Sequence, residues 1–93
     1  MKKKKEDIFR RKLTERGFVL FNFKDSNGEE CSLQESSAFR EDTNFIWLGR
    51  DKVGRMHLSQ SQARQVAEEL LYFAKHGKLK TDWQKFNINM SNK

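Results

Sequence analysis

Residues 55–77 read RMHLSQSQARQVAEELLYFAKHG, and the way this stretch divides decides the fold. Arg55-Met56-His57-Leu58 alternates polar and apolar, as a half-buried strand does. Ser59 then stands where a helix N-cap is wanted, and Gln62 three residues later completes a capping-box pattern. Ala63, Val66, Ala67, Leu70, Phe73 and Ala74 recur at helical spacing and predict one apolar stripe. Lys75 and His76 fall in the last turn, where positive charge suits the helix dipole, and Gly77 can adopt the left-handed C-cap conformation.

Upstream, Phe18–Lys24 (FVLFNFK) reads as a strand with Val19, Phe21 and Phe23 on one face. Asp25-Ser26-Asn27-Gly28 is a turn, and Glu29–Gln34 returns as a second strand. A two-residue loop would set Cys31 and Leu33 opposite in face to Phe21 and Phe23. A three-residue loop, Ser26-Asn27-Gly28, puts all four together, with Asp25 opening the turn and Gly28 at its left-handed position. Residues 35–44 are polar and read as a connecting loop. Phe45-Ile46-Trp47-Leu48 is apolar at every position, which predicts a central strand with both faces covered. Arg55–Leu58 is then the fourth strand.

Residues 6–17 read as a short basic helix carrying Ile8, Phe9 and Leu13 on one side, with Gly17 as the stop. Residues 1–5 are expected to fray, and the tail, 78–93, carries a second capping-box spacing at Thr81 and Gln84 with Trp83 and Phe86 as anchors. The expected architecture is one α+β domain over residues 1–93. A three- to four-stranded antiparallel sheet packs against one long helix, with a short basic helix before it.

Ninety-three residues suffice for one modest core. Apolar residues make up 35% and charged residues 34%, with eight Phe and two Trp supplying burial. The net charge of +6 is unevenly placed. Residues 1–16 carry eight Lys/Arg against three acids, residues 75–93 five Lys against Asp82, and the middle six Lys/Arg against nine acids. Phosphate or acidic-protein contact is therefore expected from the ends, through Lys2, Lys3, Lys4, Lys5, Arg10, Arg11, Lys12, Arg16, Lys78 and Lys80, with Arg55 as a further candidate beside them. No apolar run approaches the roughly 20 residues of a membrane span, and the expected setting is cytoplasmic.

Cys31 and His57 form the one pair that suggests a thiol nucleophile and its base, yet no orienting carboxylate stands at a recognisable spacing. Cys31 on an apolar strand face reads as a core residue. His57, His76 and Cys31 lack the paired spacing of a zinc site, so neither metal nor cofactor is expected, and no catalysis. Trp47, Tyr72 and Trp83 are the aromatics that, if outward, would stack on bases or anchor an interface; core burial is the default for Trp47, while Tyr72 and Trp83 are equally suited to either.

The segments DSNGEECSLQESS (25–37), IWLG (46–49) and RMHL (55–58) with its following helix resemble a group of small proteins encoded by phages and prophages. Those proteins share a G-x-x-C-S-x-Q-x-S-S stretch, an I-W-L-G strand and an R-M-H-L strand before a terminal helix. The resemblance covers residues 18–77 and carries over no functional residue. It implies a non-catalytic inhibitor of host machinery, of the anti-CRISPR kind. The expected partner is a host RNA-guided effector, such as an RNA-targeting type VI nuclease, and/or its guide RNA, met in the bacterial cytoplasm. The alternative is a small basic nucleic-acid-binding accessory protein of phage replication or gene regulation.

Overall fold

The computed structural model describes residues 7–81. Four strands, β1 (Arg10–Leu13), β2 (Val19–Lys24), β3 (Glu30–Arg40) and β4 (Thr43–Arg50), precede one helix, α1 (Gln60–His76). Each strand pairs antiparallel with the next, so the sheet runs β1-β2-β3-β4 as a meander. The α+β architecture of a small sheet against a long helix is the expected one.

The β2–β3 hairpin has the three-residue loop. Phe21 lies opposite Leu33 and Phe23 opposite Cys31, and all four are fully buried on one face. Gly28 has φ +82° and its N–H donates to the Asp25 carbonyl at 3.0 Å, the geometry that requires glycine there. Val19, Phe9, Val66 of α1 and Leu79 complete this core, with Met56, Leu58, Leu70 and Phe73 partly buried against it.

Four expectations are corrected. Residues 6–17 are not a helix where the structure describes them, because residues 10–13 form β1. Phe9, Arg11 and Leu13 fit a two-residue period as well as Ile8, Phe9 and Leu13 fit a helical one. Pairing with the open edge of β2 and packing of the Phe9 ring 5.5 Å from Phe21 and 5.3 Å from Phe23 select the strand. Residues 35–44 are not a loop. β3 runs on to Arg40, turns over Glu41-Asp42 and returns as β4, after a register irregularity between Glu35 and Phe39. Their polarity reflects exposure of this end of the hairpin.

β4 is an edge strand rather than a central one, and Phe45, Trp47 and Leu48 remain exposed. Residues 55–58 are not a strand of the sheet. Their alternation persists, with Met56 and Leu58 inward and His57 exposed, but their hydrogen bonds go to the β2–β3 turn. The Asp25 carboxylate organises that junction. Its Oδ2 accepts from the His57 N–H at 3.0 Å, and its Oδ1 from those of Asn27 and Glu29, each at 2.9 Å. The Ser26 N–H donates to the His57 carbonyl at 2.8 Å, and Gln62 Nε2 donates to the Lys24 carbonyl at 2.9 Å.

The His57 N–H above all, then that of Glu29, holds the Asp25 carboxyl below its ordinary value of 3.8, outweighing the opposing effect of burial. A carboxyl depressed on folding stabilises the protein above the unfolded value, and that stability is lost as pH falls through the folded one. Equilibrium unfolding of the wild type should thus show stability falling as the pH drops below about 3.8. Asp25→Asn should be less stable at neutral pH, since an amide NH2 would face a backbone donor, and should show a flatter acid dependence.

The helix caps are as expected. The Gln62 N–H donates to Ser59 Oγ and the Ser59 N–H to Gln62 Oε1, while Gly77, at φ +76°, donates to the Phe73 carbonyl. The buried stripe, however, includes Gln65, Val66 and Glu69, whereas Ala63, Ala67 and Ala74 face solvent. The two polar residues are tolerated inside because they have partners. Gln65 Oε1 accepts the Ile8 N–H at 3.1 Å, and Glu69 pairs with Arg11. After α1 the chain docks again: Leu79 is fully buried and its N–H donates to Glu35 Oε2 at 2.9 Å, while Glu35 Oε1 accepts the Val19 N–H at 2.8 Å. The expected frayed start and the short helix after Thr81 lie outside the described residues.

Candidate functional site: the open face of the sheet

Because Phe21, Phe23, Cys31 and Leu33 turn toward α1, strand alternation directs their neighbours to the other face. No described element covers that face. The register gives two rows across it: Lys12, Leu20, Gln34 and Trp47, and then Arg10, Asn22, Ser32 and Gly49. With strands about 4.8 Å apart, each row spans roughly 14 Å. Cationic β1 thus lies at one end and aromatic β4 at the other, with Leu20, the amides of Asn22 and Gln34 and the Ser32 hydroxyl between. Lys24 and Glu30 extend the face beyond Arg10, which bonds the Glu30 carboxylate.

Trp47 is 65% exposed, far beyond what a core tryptophan shows. It separates two hollows. One, of about 300 Å³, is lined by Ser36, Ala38, Arg40, Phe45 and Ile46 as well as Trp47. The other, of about 340 Å³, is lined by Thr14, Glu15, Arg16, Phe18, Gln34, Glu35 and Ser37 together with Trp47. Each holds an arginine over an aromatic ring: Arg40 lies 5.5 Å from the Phe45 centroid and Arg16 6.0 Å from that of Phe18. A planar, π-bearing ligand laid on Trp47 would therefore find a guanidinium and a second ring on either side.

The sequence-predicted contact residues are divided by the fold. Arg10, Lys12 and Arg16 meet around the open face. Arg11 does not: it points to the covered side, where its guanidinium bonds Asp7 and, at 3.1 Å, Glu69, and lies 4.7 Å from the Phe21 centroid. Its positive charge is used inside the fold. Lys80 sits 5.4 Å from the ring of Tyr72 on α1, Lys78 beside the helix C-cap, and Arg55 in the exposed segment leading to α1. Lys2–Lys5 lie outside the described residues.

No family model, curated protein or solved structure matches this chain. The chemistry of the face must therefore be argued from its own residues. Trp47, Gln34, Ser32, Lys24 and Arg40 belong to it, although none was among the expected contact residues and Trp47 was expected in the core. The unbroken apolar run 45–48 hides which of its residues face out, and only the strand order reveals it.

Elsewhere, Cys31 is fully buried, and burial pushes its thiol above the ordinary value of 9.0, the direction that suppresses the thiolate. His57 is exposed, with Nδ1 2.7 Å from Ser26 Oγ. Among the described residues no group of three or more His, Cys, Asp or Glu could hold a metal ion, and no helix is long and apolar enough to cross a membrane.

Proposed function

We propose that the protein is a non-catalytic binding module whose open sheet face takes a single strand of nucleic acid. The observation that carries this reading is Trp47, 65% exposed on a face whose rows end in Lys12 and Arg10. Stacking on an exposed indole is tolerant of base identity because every base has a π-face, and flanking cations follow the phosphates. Gln34 and Ser32, between the two, offer hydrogen-bonding groups to base edges.

Fluorescence anisotropy with labelled oligouridylate and oligothymidylate tests the proposal. Trp47→Ala should weaken binding roughly 5- to 150-fold, corresponding to about 1–3 kcal/mol for one stacked base. Engagement of Arg10, Lys12 and Arg16 gives an affinity that falls with salt at a log–log slope of roughly −2. Salt-insensitive binding, or binding that Trp47→Ala leaves intact, would count against the face.

A narrower reading follows from the resemblance to phage proteins. The outward residues of two of its segments, Ser32 and Gln34 of 25–37 and Trp47 and Gly49 of 46–49, fall side by side on the same face. On that reading the strand engaged is the guide RNA of a host RNA-guided nuclease, and binding inhibits it. Cleavage by such effectors should then be blocked by the wild type and restored by Trp47→Ala. An accessory role in phage replication or gene control predicts binding to bare strands with no effect on cleavage.

A further inference from the structure

We propose that two copies of the chain associate edge to edge through β4, joining their sheets into one eight-stranded antiparallel sheet. The sheet has two edges among the described residues, and they differ. β1 is short and presents the exposed side chains of Arg10 and Lys12, the kind of charged edge that resists pairing with another copy. β4 presents Thr43-Asn44-Phe45-Ile46-Trp47-Leu48-Gly49, seven residues without a charge. Three of the six large exposed hydrophobic residues among the described ones, Phe45, Trp47 and Leu48, stand on it.

The β4 sequence is complementary to itself. A two-fold axis perpendicular to the sheet at Ile46 sets Ile46 against its own copy and Phe45 against the second copy's Trp47, twice. Opposed residues then share a face, so α1 of both copies lies on one side and both open faces on the other. Asn44 comes opposite Leu48 and Thr43 opposite Gly49. At the ends Asp42, just before the strand, comes opposite Arg50, which also bonds Glu29 of its own copy at 3.2 Å. Cross-strand aromatic pairs and opposite charges are the arrangements that stabilise strand pairing. An interface of one strand pair is small, so the association is weak and depends on protein concentration. This inference stands independently of nucleic-acid binding, though it would set two Trp47 platforms on one continuous face.

Sedimentation equilibrium of the full chain over a concentration series tests it. The wild type should pass from the monomer mass of 11.1 kDa to twice that value. Thr43 is exposed, and a Cβ added at Gly49 meets nothing within 4 Å, so both positions accept charge without disturbing the monomer. Thr43→Lys with Gly49→Lys should give a folded monomer, and so should Thr43→Glu with Gly49→Glu. Mixing the two variants should restore the dimer mass, because opposite charges then face each other. Circular dichroism confirms that both are folded. A wild type that stays monomeric into the hundreds of micromolar, its edge taken by residues 82–93 or by nothing, overturns the proposal. So does a dimer that both charged variants leave intact, or a mixture that fails to associate.

Discussion

Phe21→Ala should lower the stability of the protein by about 3–5 kcal/mol, read as the shift in denaturant midpoint at constant slope. Phe21 is fully buried in β2, beneath Phe9 and the Arg11 guanidinium and across from Leu33. Truncation removes the contact that commits residues 7–13 to the sheet as well as opening a cavity. A small domain has about 5–15 kcal/mol in total, so much of it would go with one side chain. Loss of β1 protection in amide exchange before the rest of the sheet would show the same dependence locally. A change under about 1 kcal/mol would mean that the core is not centred there.

Arg11→Ala is expected to be the most damaging of the changes to basic residues, at about 3 kcal/mol, the lower end of the range for breaking a buried ion pair. Arg11 holds Asp7 and Glu69 and covers the Phe9 and Phe21 rings. Glu69 is buried, and its Oε1 already has no hydrogen-bond partner among the described residues. Removing Arg11 would leave that carboxylate without its counter-charge. Arg11→Ala together with Glu69→Leu should recover part of the loss, since an apolar pair needs no compensation. Lys12→Ala, on the open face, should leave stability within about 0.5 kcal/mol and act on nucleic-acid affinity instead. The two neighbours in sequence thus have separable effects, and urea titrations beside anisotropy titrations distinguish them.

This separation also shows what the sequence could disclose. Local chemistry was legible: the Ser59–Gln62 capping box, the Gly77 C-cap and the three-residue loop closing on Gly28 are each specified within a few residues. What depended on distant partners was not. Residues 10–13 became a strand because β2 offers an edge and Phe9 a place in the core. Gln65 and Glu69 went inside because Ile8 and Arg11 meet them there. Residues 55–58 alternate like a strand, yet their hydrogen bonds end on Asp25 and Ser26 of a turn some 30 positions earlier. The open face was hidden for the same reason. Its cations come mainly from β1 and the turn after it, its amides from β2 and β3 and its tryptophan from β4, and no short window of sequence contains them all.

The most direct test of the face is to follow the backbone amides and the indole N–H of Trp47 by NMR while a short unstructured oligonucleotide is added. Saturable shifts concentrated at Arg10, Lys12, Leu20, Ser32, Gln34 and Trp47, with α1 little changed, are the predicted result. Shifts confined to α1 and the segment around Lys78 and Lys80, or none that saturate, would contradict the assignment of the open sheet face as the binding surface.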